Sequence, residues 1–342
     1  MRGNTFGQFL TLTTFGESHG VALGAIIDGC PSGIKLSVED IQHELDRRRP
    51  GQSKLTTSRK EGDNAELLSG VFEGHTLGSP IAVIVRNHDA RSKDYDPNYF
   101  RAGHADRVWQ DKYGRRDWRG GGRASGRETI GRVIGGVVAS KILPEGVNIV
   151  GFTRQIGTIE ATNLPDTLTR DIVDQHPTRC PDLDAAKRME EDLLACKEAG
   201  DSRGGIAEIW VDNIPRGLGE PVFFKAKSAL IGALTSIGAV VGATLGDAHH
   251  DAQTPGQLFH KGISGSGKDA GISPAANGIQ GGITNGERIR LLVYFKPAST
   301  VGSMATSGRH DPCIIPRAIP VLESMVALTL ADLFLANKAS QM

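Results

Sequence analysis

The sequence lacks the features that mark several classes of protein. Its four cysteines lie far apart and form neither a Cys-x-x-Cys pair nor a spacing with histidine typical of a zinc site. They are Cys30, Cys180, Cys196 and Cys313. No uninterrupted apolar run approaches the roughly 18 residues of a membrane span, and the N-terminal segment has no apolar signal-peptide core. We therefore expect a soluble, cytoplasmic protein with reduced thiols and no bound metal.

Charge of one sign is also missing, because 39 Lys and Arg residues balance 39 Asp and Glu residues. A globally basic nucleic-acid binder and a protein with an acidic tail are both disfavoured. Aromatic residues make up only 5% of the chain. Glycine is abundant instead, with 44 of 342 residues, or about 13% against an average of roughly 7%. Such a chain depends on turns and close backbone approaches, and its length is sufficient for a large core.

Turn residues and periodic segments alternate along the chain, which favours a fold of mixed helices and strands. The best-defined helix begins after Ser37, where Ser-x-x-Asp predicts a capping box with Asp40, and it ends before Pro50. A second helix is predicted over 125–143, and its glycines require close packing against neighbours. The remaining predictions are strands over 8–14, 67–72, 81–85, 206–211 and 288–295, and helices over 184–197, 222–235 and 316–337.

The neutral total conceals two cationic segments. Residues 46–60 hold six basic residues and one acid, and residues 101–132 hold nine basic residues and four acids, so each segment has a net charge of +5. Residues 182–201 have the opposite balance, with seven acids and three bases. Many of the arginines stand next to glycine, a combination that binds phosphate or carboxylate. We favour an anion pocket at 120–128, whereas any single arginine is equally well interpreted as part of a solvated face.

Two of the ten histidines stand in a context that favours chemistry. His19 in FGESHG and His104 in RAGHADR each follow or precede glycine in a predicted turn. Beside a bound phosphate, an imidazolium can donate a proton to a departing anion. The alternative, a histidine without a catalytic role, stays open for both. Near the C-terminus, Asp311 precedes Pro312 and is interpreted either as a turn residue or as a carboxylate that relays a proton.

Six segments of the chain together resemble the chorismate synthase family. They are TTFGESHG (13–20), DRRRPGQSKLTTSRKEGD (46–63), LLSGVFEGHTLGSPI (67–81), RAGHADRVWQDKYGRRDWRGGGRASGRET (101–129), GLGEPVF (217–223) and GRHDPCIIPRAIPVLESM (308–325). They stand in the order of the family pattern and extend over nearly the whole chain. The resemblance implies an α+β fold with a β-α-β sandwich core, a single domain over 1–342, and a homotetramer without a membrane or nucleic-acid partner.

The resemblance also implies a reaction and a cofactor. The family catalyses the anti-1,4-elimination of phosphate from 5-enolpyruvylshikimate 3-phosphate to give chorismate, the last common step of the shikimate pathway to the aromatic amino acids. It uses FMN, which must be in the reduced form. Either the enzyme itself reduces the FMN with NADPH, or reduced FMN is supplied from another source. We favour the second source, because GGGRASG is not a GxGxxG fingerprint after a strand.

Roles for individual residues follow from the same resemblance. His19 protonates the departing phosphate, His104 lies near the reduced flavin and supports its protonation state, and Asp311 aids removal of the ring proton. Positions that bind substrate or NADPH correspond to Arg48, Arg49 and Lys54. The implied flavin contacts are Arg123, Ala124, Ser125, Gly238, Ala239, Gly281, Lys296, Pro297, Ala298, Ser299, Thr300 and Arg309.

The chain departs from the family pattern mainly on the flavin side. Lys54 stands where many members have arginine, Ala124 replaces a serine, and the loop after Thr300 is shorter than usual. Further departures are Pro274, Ala275 and Asn277. Two alternatives therefore stay open: a non-catalytic or altered-specificity relative that binds flavin or a phosphoanion, and, less favoured, a nucleic-acid-binding protein that uses 101–132.

Overall fold

The N-terminal part of the chain forms an antiparallel sheet of five strands. The computed structural model describes residues 3–51, 55, 62–87, 96–302 and 311–340. The strands are β1 (Thr5–Phe6), β2 (Thr11–Phe15), β3 (Ala22–Asp28), β4 (Ala65–Ser69) and β7 (Ile81–Arg86), in the order β1-β2-β3-β7-β4. In β7, Ile81, Val83 and Val85 are fully buried and alternate with less buried residues, as in a strand with one covered face. A short hairpin of β5 (Val71–Phe72) and β6 (His75–Thr76) follows β4.

A second antiparallel sheet of five strands is formed further along the chain. Its strands are β8 (Asn148–Ile156), β9 (Ile159–Glu160), β10 (Gly205–Asp212), β11 (Val240–Leu245) and β14 (Ile289–Phe295), in the order β11-β14-β10-β8-β9. In the central strand β10, Ile209 pairs with Leu291 of β14 on one side and with Gly151 of β8 on the other. A separate hairpin consists of β12 (Ile279–Gln280) and β13 (Ile283–Thr284).

Two of the helices lie between the two sheets. The helices are α1 (Val38–Arg48), α2 (Asp106–Tyr113), α3 (Thr129–Ile142), α4 (Arg170–Asp174), α5 (Leu183–Glu198), α6 (Ala226–Thr235), α7 (Ala248–Gln253), α8 (Gly256–Phe259) and α9 (Ile315–Ser340). Helix α3 packs against β2 and β3, α9 packs against β8 and β10, and the two helices pack on each other. Gly136 permits this approach, since a Cβ there would lie 2.3 Å from the Cβ of Ser324 in α9. The predicted α+β fold with a β-α-β sandwich core is confirmed.

Helix α9 is the long apolar helix of the core. By length and composition its 26 residues could cross a membrane, but 83% of its most apolar window is buried within the protein. That burial is what a central core helix requires. Pro320 lies inside the helix and has no N–H to donate to the carbonyl of Pro316. The buried guanidinium of Arg179 donates to this carbonyl instead, so the acceptor is satisfied.

The four cysteines are buried and free. Burial raises the pKa of each thiol, that of Cys180 to about 11 and that of Cys313 to about 12. These thiols are therefore protonated at neutral pH and are poor nucleophiles. Within the described ranges, no group of three or more His, Cys, Asp or Glu side chains is arranged to hold a metal ion.

The helix predicted after Ser37 is confirmed together with its cap. The Ser37 hydroxyl accepts a hydrogen bond from the Asp40 N–H at 3.3 Å, and the Asp40 carboxylate accepts one from the Ser37 N–H at 2.9 Å. The other strong helix prediction, over 125–143, has its start misplaced. Residues 122–128 form two short 3₁₀ turns, and the α-helix begins only at Thr129.

Two further boundaries differ from the sequence predictions for reasons of backbone conformation. The strand predicted over 67–72 is interrupted at Gly70, whose φ of +87° lies outside the strand region. The helix predicted over 222–235 begins only at Ala226, because Lys225 is extended and forms the cap position.

Candidate active site

His19 occupies the turn between β2 and β3 in the first sheet. The residue is only 7% exposed, and the Ser18 hydroxyl lies 3.1 Å from its Nδ1. Gly120 lies against the edge of the ring, since a Cβ at this position would be 2.0 Å from Cε1 of His19. Only glycine fits at position 120 without moving the imidazole, which is enclosed between two turns.

A buried carboxylate joins two arginines close to this turn. Asp63 binds Nη1 of Arg48 at 2.8 Å and Nη1 of Arg127 at 3.1 Å. Arg48 is at the C-terminal end of α1, and its Nε donates to the hydroxyl of Thr129 at the start of α3 at 3.2 Å. Buried charges need such compensation. Because two guanidinium groups share one carboxylate, this Asp63 cluster keeps a net charge of +1.

Asn87, which follows β7, connects the Asp63 cluster to the His19 turn. Its Oδ1 accepts a hydrogen bond from Nε of Arg127 at 3.1 Å. Its Nδ2 donates to the carbonyl oxygens of Glu17 at 3.2 Å and Gly20 at 2.8 Å. The sequence predicts neither Asp63 nor Asn87 as a site residue, because their contacts are long-range and residue spacing carries no signal for them. Arg127 is predicted only as part of the anion pocket at 120–128.

The run Arg47-Arg48-Arg49 does not act as one cationic patch. Successive residues of an α-helix are rotated by about 100°, so neighbouring side chains point in different directions. Nη1 of Arg47 binds the buried Glu323 carboxylate of α9 at 2.7 Å. The side chain of Arg49 is 45% exposed and pairs with Asp46 at 3.2 Å. Of these three arginines, Arg48 is the one that binds Asp63.

Asp311 lies beside the same end of α1. It is 9% exposed, and its carboxylate accepts a hydrogen bond from Nη1 of Arg317 in the first turn of α9. Nε of Arg317 in turn donates to the backbone carbonyl of Arg48 at 3.5 Å. Asp311 is therefore a buried member of an ion pair next to Arg48, and both of its sequence interpretations stay open.

His104 lies in the loop before α2 and contacts the segment 296–300. Its Nε2 is 3.2 Å from the hydroxyl of Thr300. The hydroxyl of Ser299 donates to the carbonyl of Gly103 at 3.0 Å, and the ammonium group of Lys296 donates to that hydroxyl at 2.8 Å. Thr300 of the predicted flavin loop thus contacts the second candidate histidine, and Ser299 contacts the residue before it.

The His104 loop also approaches the glycine segment that encloses His19. A Cβ at Gly121 would lie 2.8 Å from Nη2 of Arg101. Arg101 is fixed by Asp106, with 2.8 Å between Nη2 and Oδ1. Burial alone would raise the pKa of Asp106, but the hydrogen bonds from Arg101 outweigh it and lower this pKa. The His19 ring and Arg101 of the His104 loop therefore lie against neighbouring glycines, Gly120 and Gly121.

The predicted flavin positions on the first sheet lie beside the His19 turn. Nη1 of Arg123 donates to the carbonyl of Gly16 and its Nη2 to that of Thr14, both at 3.2 Å. Ala124 completes the same 3₁₀ turn, and the hydroxyl of Ser125 accepts from the N–H of the second residue after it at 3.4 Å. In this structure Arg123 supports the backbone that leads into the His19 turn.

The other predicted flavin positions are divided between the two ends of α6. Gly238 and Ala239 follow its C-terminal end, and the carbonyl of Ala239 accepts from the N–H of Lys296 at 3.0 Å. Gly281 belongs to the β12–β13 hairpin, which accepts a hydrogen bond from the first N–H of α6 at 2.7 Å. Because α6 has ten residues, these two groups of predicted flavin positions are separated by about 15 Å, the length of the helix. Two further predicted positions, Lys54 and Arg309, lie outside the described residues.

A cavity of about 730 Å³ opens beside the His19 turn. Its lining includes Glu17, Trp109, Trp118, Arg115, Arg116, Arg119 and Arg123. Asp117 also lines it and pairs with Arg119 at 2.8 Å. Burial would raise the pKa of Asp117, but Arg119, assisted by His19, outweighs burial and lowers it. Guanidinium groups and indole rings around one space suit an anionic or planar ligand.

A second cavity, of about 540 Å³, lies between α1, α3 and α9. Its lining includes the acidic residues Glu39, Asp40, Glu44 and Glu323. This excess of carboxylates disfavours an anionic substrate there.

Four of the eight arginines of 101–132 pair with acids of the same segment. The pairs are Arg101–Asp106, Arg107–Asp111, Arg119–Asp117 and Arg132–Glu128. A stripe that binds nucleic acid presents its cations to successive phosphates. Local pairing argues against that use of the segment.

Comparison with known proteins identifies the family. The family model described as chorismate synthase matches residues 10–335. The chain belongs to the chorismate synthase family. It is 46% identical over 349 residues to the chorismate synthase of Trichodesmium erythraeum (strain IMS101), with 96% of this chain and 94% of that relative covered. The chorismate synthase of Synechocystis sp. (strain ATCC 27184 / PCC 6803 / Kazusa) is 46% identical over 356 residues, with 98% of both chains covered.

A solved structure supports the fold assignment. A crystal structure of a chorismate synthase superposes on this chain with a TM-score of 0.79 at 33% sequence identity. The match covers 97% of this chain and 93% of that chain. The resemblance found in the sequence motifs is thereby confirmed, and the chain is a lyase of the chorismate synthase family. The roles of individual residues stay predictions.

Proposed function

We propose that the protein catalyses the anti-1,4-elimination of phosphate from 5-enolpyruvylshikimate 3-phosphate, which gives chorismate. One observation carries the proposal: the His19 turn is linked to two other groups of site residues. Asn87 joins it to the Asp63 cluster. The glycine segment that lies against the His19 ring also lies against Arg101 of the His104 loop. The reaction needs an acid for the departing phosphate, cations for two carboxylates and a phosphate, and a group that accepts the ring proton. The residues gathered here are of those types.

Arg48 is proposed to bind the substrate. It is 2% exposed and held on a fixed carboxylate, so its guanidinium is preorganised and needs little reorientation when an anion arrives. The guanidinium groups of the Asp63 cluster are of the type that binds carboxylate and phosphate. We propose that Arg49, at the surface end of the same helix, and Lys54 also contribute positive charge to the binding of substrate or NADPH.

His19 is proposed to protonate the departing phosphate. Ser18 lies beside Nδ1, and we assign the transferred proton to Nε2. The neighbouring Asp117 carboxylate is ionised, since its pKa is lowered, and it favours the imidazolium form that an acid requires. Asp311 is proposed to assist removal of the ring proton, for which its ion pair with Arg317 would have to loosen.

The donors around the His104 loop fit FMN. Lys296, Ser299 and Thr300 offer an ammonium group and two hydroxyls, which suit a phosphate. A Cβ at Gly238 would meet nothing within 4 Å, so the backbone there is open to a ligand. When bound, reduced FMN would supply the electron-rich ring that assists cleavage of the C–O bond. The residues proposed to hold it are Arg123, Ala124, Ser125, Gly238, Ala239, Gly281, Arg309 and the segment 296–300, with His104 beside them.

We propose that the flavin is reduced outside this protein rather than by bound NADPH. The described helices that follow strands lack the glycine fingerprint of a dinucleotide site. The corresponding test is air-free oxidation of NADPH in the presence of protein and FMN, for which no catalysed consumption is expected. Steady consumption that depends on the protein would contradict this assignment.

We further propose that residues 1–342 form one domain, that the protein is a cytoplasmic homotetramer, and that it has no membrane or nucleic-acid partner. The side chains that support an assembly are Val222, Phe223 and Phe224, which are 67%, 86% and 61% exposed in one continuous stretch. Apolar stretches exposed to this degree usually mark an interface. Light scattering coupled to size-exclusion chromatography tests the tetramer, and a monomeric mass would contradict it.

The reaction itself is tested by incubating the protein with 5-enolpyruvylshikimate 3-phosphate and reduced FMN under anaerobic conditions. We expect chorismate and inorganic phosphate to appear in equal amounts. Absence of both from folded protein would contradict the proposal. A change in flavin absorbance on addition of substrate, without product, would instead identify a binding protein, the alternative that the departures near Ala124 and Thr300 motivate.

A further inference from the structure

The backbone around His19 is held from one side by a single residue. Asn87 donates from its backbone N–H to the carbonyl of Val21 at 3.0 Å. Its side-chain Nδ2 donates to the carbonyls of Gly20 at 2.8 Å and Glu17 at 3.2 Å. These acceptors stand on both sides of His19 in the chain. One residue therefore fixes the two ends of the turn that presents the imidazole.

The orientation of the Asn87 amide is itself determined. Its Oδ1 accepts from Nε of Arg127, a group that can only donate. A flipped amide would place its NH₂ against Nε–H of Arg127 and its oxygen against two carbonyl oxygens. Arg127 is held in turn by the buried Asp63 carboxylate at 3.1 Å. The turn, the amide and the Asp63 cluster thus form one directional network.

We propose that Asn87 is a positioning residue for the reaction, acting through His19. The proposal rests on the function proposed above, in which His19 is the acid. Proton transfer depends on the position of the donor, and a displacement of about 1 Å can reduce a rate by roughly 100-fold. Through Asn87, the network ties the His19 turn to the end of β7. The buried core fixes the position of this strand.

The structure offers matched variants for a test. Asn87→Asp keeps an oxygen for Arg127 and removes both donations to the turn. Asn87→Ala removes the whole amide. Asn148 in β8 is a control, because its Nδ2 donates to the carbonyl of Leu168 at 3.2 Å in the second sheet. Asn148→Ala loses a comparable bond without contact to the His19 turn.

The first measurement is steady-state turnover of the complete enzyme with reduced FMN. For Asn87→Asp and Asn87→Ala we expect kcat to fall by about 10- to 100-fold, while KM changes by less than about threefold. Asn148→Ala should keep the kcat of the unmodified protein. Equal losses in the Asn87 and Asn148 variants, or a rise in KM with kcat unchanged, would overturn the proposal.

A double-mutant cycle separates positioning from a general structural role. In the His19→Ala background, Asn87→Ala should reduce the residual rate by less than about twofold, because the group it positions is already absent. The same factor in both backgrounds would show that Asn87 does not act through His19 and would overturn the proposal.

A third measurement does not depend on turnover and stays decisive if the proposed reaction fails. In protein labelled with ¹³C at histidine Cε1, the resonance lost in His19→Ala identifies His19. We expect Asn87→Ala to shift this resonance and its titration, and Asn148→Ala to leave both unchanged. An unaltered His19 resonance in Asn87→Ala would overturn the proposal whatever the activity assays give.

Discussion

The two candidate histidines have similar surroundings in the sequence and different support in the structure. His19 is 7% exposed and lies in a turn that is tied to the end of β7 and to a buried ion cluster. His104 is half-buried in a loop, and its contact with Thr300 joins it to another loop. The first arrangement suits a group that transfers a proton at a fixed position. The second suits a group that adjusts to a bound ring.

The largest expected effect is the loss of stability on removal of the Asp63 carboxylate, which is joined to the His19 turn through Arg127 and Asn87. Asp63→Asn leaves the guanidinium groups of Arg48 and Arg127 buried without their shared counter-ion. We expect the free energy of unfolding to fall by about 3–5 kcal/mol, measured by urea denaturation.

The matched control is an ion pair of the same sheet at the surface. Glu66→Gln removes the partner of Arg86, and both of those side chains are about half exposed. Such a change should reduce the free energy of unfolding by less than about 1 kcal/mol. Similar losses in Asp63→Asn and Glu66→Gln would mean that the buried cluster does not support the His19 turn.

A smaller effect is expected at Gly120, which lies against the His19 ring. Gly120→Ala introduces a Cβ that would lie 2.0 Å from Cε1 of His19, so the ring must move. We expect kcat to fall by about 10- to 100-fold. Gly114→Ala is the control, because its φ of +69° is similarly unfavourable for alanine but its Cβ would meet nothing within 4 Å.

Both glycine variants should lose about 1 kcal/mol of stability from their positive φ. Activity should distinguish them, because only position 120 touches the imidazole. A kcat for Gly120→Ala that matches that of Gly114→Ala would contradict the close fit between the two turns.

The smallest expected effect is on flavin affinity, at the contact between His104 and Thr300. Thr300→Val keeps the shape of the side chain and removes the hydroxyl that lies 3.2 Å from Nε2 of His104. Loss of one such hydrogen bond is worth about 1 kcal/mol, or roughly a fivefold weaker affinity for reduced FMN by anaerobic titration. An unchanged affinity would mean that this contact does not orient His104 for the flavin.

Local signals in the sequence predicted several elements well. The Ser37 capping box and the end of α1 before Pro50 depend on residues only a few positions apart, so both could be identified without the fold. The start of α3 was misplaced because Ser125 has the features of a helix cap but caps a 3₁₀ turn. Propensity does not separate those two conformations over so short a stretch.

The candidate site could be predicted only in part. The histidines and the arginine-rich segments were found through the motifs that carry the family resemblance. The division of Arg47 and Arg48 between two ion clusters depends on helix rotation and on partners far along the chain, such as Glu323. Asn87 is an isolated amide in the sequence, and its importance follows from which strand ends beside the His19 turn.

The most direct test of His19 as the acid is single-turnover release of phosphate by His19→Ala, followed by rapid quench with reduced FMN and 5-enolpyruvylshikimate 3-phosphate. We predict a rate about 10²- to 10⁴-fold below that of the unmodified protein, with binding of flavin and substrate preserved. Release of phosphate at the unmodified rate would contradict the assignment of His19 as the acid.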